Sequence, residues 1–249
     1  MIALVRAELL KIRTTRGWWA YLIVIVLLTG LAVAGEVGSA ESFDRGTADF
    51  QLGLIETVGV AVLLAIILGI TVVTTEFRHG TVTPTFLATP HREHVIAAKA
   101  IAGILVAIGF AVLSLLVVFA VALPWFAIVG AEWNLGGGEA VTRVAEQVVV
   151  AVLWVLMGVA IGAVVQSQVA ALVGTLIWIF VGETLLLGLF GLLDLDGARP
   201  YLPFQALDGA DGTGGGELLS YWPAIGVSLG WIALIGAAGT ERTRRRDIS

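Results

Sequence analysis

All three histidines of this 249-residue chain fall in one polar stretch, residues 76–99, between two long apolar runs. His91-Arg92-Glu93-His94, with His79 upstream, supplies two imidazoles and a carboxylate at close spacing, the donor types of a catalytic zinc site. There is no H-E-x-x-H pattern, and Arg78, Arg92 and Lys99 crowd the same stretch, so a solvated loop is the better reading. Ser114, Ser167 and Ser228 have no histidine in any apolar run to act as base, and no G-x-S-x-G elbow is present. The absence of cysteine excludes thiol nucleophiles, disulfides and cysteine-ligated clusters. Gly136-Gly137-Gly138-Glu139 and the glycine-rich residues 212–217 lack the G-K-[ST] ending of a phosphate loop and read as flexible external loops. One acid, Glu183, lies deep in an apolar run, where a charge is costly. A proton or cation relay needs several such groups in register. A single one reads as a buried hydrogen bond between helices, to Thr175 or Gln166, with a place on a substrate path as the alternative.

The elements that must position these groups follow from composition. Hydrophobic residues make up 58% of the chain and charged residues 13%, about half the charged share of a soluble domain, and mean hydropathy is +0.98. The chain therefore reads as an all-α polytopic membrane protein, a single transmembrane domain over residues 1–249. Six runs approach the roughly 20 residues that cross a bilayer: about 18–35, 54–75, 100–121, 144–165, 170–193 and 221–239. Trp18, Trp19, Tyr221 and Trp222 stand where interfacial aromatics are expected. The run at 18–35 is longer than a signal-peptide core and reads as a retained span. Ahead of it, residues 1–16 place Ile2, Val5, Leu9 and Ile12 at helical spacing, with Arg6, Lys11, Arg13 and Arg16 off that stripe. This predicts an amphipathic helix lying in the membrane interface.

Charge sets the expected orientation. With both termini cytoplasmic, only Arg45, Arg143 and Arg199 of the 14 Lys and Arg fall outside, as the positive-inside rule requires. The segment 76–99 is then short, cytoplasmic and held at both ends by spans, which suits it to transmit a push from a soluble partner. Gly158-x-x-x-Gly162 and Gly226-x-x-x-Gly230 have the spacing that lets helices approach closely. In the external residues 194–220, the apolar patch 201–207 between acidic turns suggests a short element dipping back into the outer interface.

Several motifs together carry a family resemblance: Ala7-Glu8-Leu9-Leu10-Lys11, Thr75-Glu76-Phe77-Arg78-His79-Gly80-Thr81, Leu87-Ala88-Thr89-Pro90-His91-Arg92, Ala97-Ala98-Lys99 and the basic tail Arg244-Arg245-Arg246-Asp247. The chain resembles the permease subunits of ABC-2 type transporters, in particular the small six-span form found beside a separately encoded ATPase. The resemblance implies that about 80–93 is a coupling helix docking into the ATPase. Glu76, Arg78, Gly80, Thr81, Thr83, Thr85, Leu87, Thr89 and Arg92 are then the coupling residues. Glu76 and Arg78 would anchor the loop, with Glu76 paired to Arg78 or to Arg16, and 83–89 would meet the partner. Tyr201, Pro203, Phe204 and Gln205 would belong to a re-entrant element before the last span. The implied protein is the membrane subunit of an ATP-driven exporter in the cell membrane. It works with a cytoplasmic ATPase that holds ATP and Mg, and with a second copy or homologue; the chain itself binds no cofactor and meets no nucleic acid. The alternatives are an ion- or proton-coupled secondary transporter using Glu183, and a non-transporting membrane anchor. The inverted repeats common in secondary transporters are not evident.

Overall fold

A chain in hydrocarbon has no water to satisfy its peptide groups, so long apolar runs close their hydrogen bonds within helices. The computed structural model describes residues 1–15, 17–41, 44–81, 92–212 and 218–245, and no strand occurs among them. A short helix α1 (Ile2–Thr14) leads into α2 (Gly17–Ser39). Then come α3 (Ala48–Glu56) and α4 (Gly59–Arg78), α5 (Arg92–Val129) and α6 (Gly137–Val165). The fifth crossing is composite: α7 (Gln168–Ile177), a π-helical turn (Trp178–Gly182) and α8 (Glu183–Leu192). A short α9 (Pro203–Asp211) precedes the last long helix, α10 (Tyr221–Arg245). Six segments are long and apolar enough to cross a membrane, in the order the hydropathy predicts.

Their bounds differ from the apolar runs in instructive ways. The second crossing begins at Ala48 and breaks at Thr57–Val58, where the Thr57 hydroxyl donates to the Leu54 carbonyl. The third crossing extends to Arg92 at one end, where polar residues continue the helix, and to Val129 at the other, where the apolar stretch runs on past Pro124. The glycines at 136–138 are not a flexible loop. Gly136 is the N-cap of α6, and Glu139 sits in its first turn, where a negative charge complements the helix dipole.

α4 and α6 form the centre of the bundle. The paired-glycine spacing of α6 explains this: Gly158 and Gly162 lie against the backbone of Ile66, Gly69 and Ile70. Gly226 and Gly230 of α10, by contrast, face open space. α2, α7–α8 and α10 keep most of their surface outward, as helices bounded by lipid or by another chain do. Both ends of the chain lie at the same end of the bundle, which we call the basal end. There Arg244 pairs with Glu93, Arg242 donates to the Val164 carbonyl at 2.7 Å and Gln166 to the Thr243 hydroxyl at 3.2 Å.

Candidate functional site

At the basal end, α4 terminates in a way its sequence dictates. Gly80 takes φ +68°, a left-handed conformation glycine adopts without strain, and the Thr81 N–H returns to the Glu76 carbonyl at 3.0 Å. That six-residue return is the Schellman stop. It leaves the Glu76 side chain one turn before the helix end, facing inward at 6% exposure.

Glu76 there joins Glu8 of α1 and Lys99 of α5, both equally well buried, and the half-exposed Lys11. The four close a ring in which each carboxylate gives one oxygen to each ammonium. Lys11 Nζ lies 2.7 Å from Glu8 Oε1 and 2.5 Å from Glu76 Oε1. Lys99 Nζ lies 2.8 Å from Glu8 Oε2 and 3.2 Å from Glu76 Oε2, and its third proton is directed at the Val72 carbonyl at 3.1 Å. Lys99 thus donates hydrogen bonds to Glu8 and Val72 and holds Glu76 as an ion pair, so the buried ammonium is compensated on three sides. Burial alone would pull the Lys11 ammonium down, but hydrogen bonds and charge from Glu76 and Glu8 outweigh it and hold it above the ordinary lysine range. Beside the ring is a cavity of about 90 Å³ lined by Ile12, Trp18, Tyr21 and Thr71, where the Tyr21 and Thr71 hydroxyls meet at 3.2 Å.

For Glu76 the sequence alone offers Arg78 or Arg16 as a partner. Among the described residues its ion pairs are with Lys11 and Lys99, while Arg78 donates to the Gln168 side chain at 3.2 Å; Arg16 lies outside the described residues. On α1, Val5, Leu9 and Ile12 of the expected apolar stripe are part-buried. Ile2 is exposed, and the position most buried on that face is the acidic Glu8, between Val5 and Ile12. Gly80 and Thr81 sit at the helix stop, and Arg92 opens α5. Thr83, Thr85, Leu87 and Thr89 lie outside the described residues.

A second polar cluster lies nearer the opposite end. Glu183, 2% exposed, accepts the Phe204 N–H at 2.8 Å, not a bond from Thr175 or Gln166. Leu202, the N-cap of α9, has no side chain able to cap it, so Glu183 of the fifth crossing supplies the carboxylate from outside. Pro203 occupies the first turn, where its missing N–H costs nothing. Phe204 packs against Trp154 with ring centroids 5.6 Å apart and the rings tilted by 51°, and the exposed Tyr201 offers its carbonyl to the Trp231 indole N–H at 2.9 Å. Gln205 is half-buried in the first turn of α9. Farther along, Gln147 donates to Asp211 at 2.8 Å.

On α9, burial first and then the charges of Glu183 and Asp211 push the Asp208 carboxyl up to about 6, from an ordinary 3.8. A raised acid keeps its proton better in the fold than out of it. This contribution is therefore complete below about pH 3.8 and is lost as pH rises through 6. A shift of that size corresponds to on the order of 3 kcal/mol. Asp208→Asn should raise the melting temperature at pH 7 and flatten its decline between pH 4 and 6, as measured by thermal unfolding across that range.

A family model described as "ABC-2 family transporter protein" matches residues 4–182, from α1 through the π-helical turn of the fifth crossing. No curated protein matches the sequence.

Proposed function

The chain belongs to the ABC-2 family of transporter proteins, and we propose that it is the membrane subunit through which a separate cytoplasmic ATPase drives export. The family and the six spans make it a multi-pass membrane component of a transporter. In this reading the basal end faces the cytoplasm of the cell membrane, so that both termini are cytoplasmic. ATP and Mg are held by the ATPase, and a second copy or a homologue completes the pathway.

The observation that supports this reading best is the closed ring of Glu8, Lys11, Glu76 and Lys99. It joins α1, the end of α4 and the start of α5, the two helices between which the segment 79–91 is strung. Buried ion pairs separate only at high cost, so a displacement applied to that segment moves three helices together. Such an arrangement favours discrete rearrangement over local give. The segment would be the handle and the ring the joint.

Exchanging residues 80–89 for a Gly/Ser linker of equal length tests this. The chain should remain in the membrane with its melting temperature little changed, yet lose ATP-dependent transport and co-purification with the ATPase. Unchanged transport and co-purification would refute the coupling role.

A further inference from the structure

Between the fifth crossing, α6, α9 and α10 runs a slot of about 430 Å³ with almost wholly apolar walls. Met157 and Val165, two turns apart on α6, mark its length, about 12 Å at the rise of a helix. Phe204 of α9 lines it as well, as do Trp178 and Trp231, from helices that scarcely touch among the described residues. At Gly182, which closes the π-helical turn, a Cβ would lie 2.9 Å from the Trp178 ring, so glycine leaves room for that indole beside its own helix.

Walls this apolar offer water no partners and match hydrocarbon instead. Two further features give the occupant its chemistry. Thr175, in the wall and 6% exposed, has no partner for its hydroxyl; Thr29, Ser114 and Ser228 also have buried hydroxyls without a partner, but they do not line the slot. At the basal end two exposed guanidinium groups lie close to residues that line the slot. Arg242 is bonded to Val164, next to the wall residue Val165, and Arg78 to Gln168, two residues before the wall residue Ala170.

We infer that the slot holds one acyl chain of an anionic phospholipid, its headgroup on Arg78 and Arg242 and an ester oxygen within reach of the Thr175 hydroxyl. The fit is one of shape, polarity and charge together: an elongated apolar channel, one unpaired donor in its wall, and positive charge near its basal end. The site does not depend on the transport reading and would hold for a membrane anchor as well.

The test uses the full chain in vesicles of equal parts phosphatidylcholine and phosphatidylglycerol, with a diazirine midway along one acyl chain of the phosphatidylglycerol. After irradiation, labelled residues are located by peptide mass spectrometry. Thr175, Trp178 and Phe204 should carry several-fold more label than Leu27 and Leu31, which are exposed on α2. Gly174→Phe places a ring in the slot, where a Cβ has no neighbour within 4 Å, and should cut slot labelling several-fold without changing α2. Arg78→Gln with Arg242→Gln should lower labelling by the phosphatidylglycerol probe but not by its phosphatidylcholine counterpart. Slot labelling no stronger than that of α2 in the unaltered chain overturns the inference, and that comparison needs no variant to fold. A photoreactive residue at Trp178 that captures a second copy of the chain instead of lipid overturns it as well.

Discussion

Lys99→Met should cost about 3–5 kcal/mol of stability, because it strands two buried carboxylates that now share one ammonium. Glu8 and Glu76 have side chains 7% and 8% exposed, so water cannot take over from Lys99. Lys11→Met removes the same formal charge from the same ring, yet its side chain is 47% exposed, and loss of an ion pair so close to water costs about 1 kcal/mol or less. The contrast between two lysines with the same two partners separates burial from charge count. It is read as the difference in melting temperature of the purified chain in detergent. Adding Glu8→Gln to Lys99→Met should restore part of the loss, since one of the stranded charges is gone; in a double-mutant cycle the two changes will not add. If the ring is the joint of a coupling device, Lys99→Met should also lower ATP-driven transport in material that remains folded. Equal effects of the two lysine substitutions would show that the ring is not a buried unit.

The helices were legible in the sequence because hydrocarbon leaves so few options. Six apolar runs became six crossings in the predicted order. Their ends were less legible, since residues such as Glu93-His94 and Thr142-Arg143 carry the helix on past the apolar stretch without any change of periodicity. The polar segment 76–99 stood out by composition, but what its ends do did not. The sequence pairs Glu76 with a nearby arginine and leaves Lys99 in the polar stretch, because the acid that meets Lys99, Glu8, lies 91 residues away. One signal was available: Glu8 falls between Val5 and Ile12 on the inward face of α1, where a lone carboxylate demands a partner. The partner of Glu183 could not have been read, because it is a main-chain N–H at the start of α9, and a backbone group has no letter in the sequence. Gly158 and Gly226 share the same spacing motif, yet only the first meets another helix, since the motif permits a close approach without naming what approaches.

That difference sets up the second large effect. A Cβ on Gly158 would stand 2.3 Å from the Ile66 carbonyl oxygen and 3.1 Å from the Gly69 Cα, and a Cβ on Gly69 would stand 2.2 Å from the Val155 carbonyl oxygen. All these neighbours are backbone, so no side chain can swing aside, and α4 and α6 must move apart. Overpacking of this kind costs about 1–3 kcal/mol where side chains can adjust, and more where they cannot. Gly158→Ala should therefore lower the melting temperature strongly, against the usual gain of about 1 kcal/mol when alanine replaces glycine in a helix. Gly69→Ala should do the same. The double variant should be little worse than either single one, because the first methyl already opens the gap that the second occupies. Gly226→Ala and Gly230→Ala, with no atom near either Cβ, should leave the isolated chain as stable as before or slightly more so. If Gly158→Ala proves as harmless as Gly226→Ala, the central contact between α4 and α6 is not the close backbone approach described, and α4, which carries Glu76 of the basal ring, is not held by that contact.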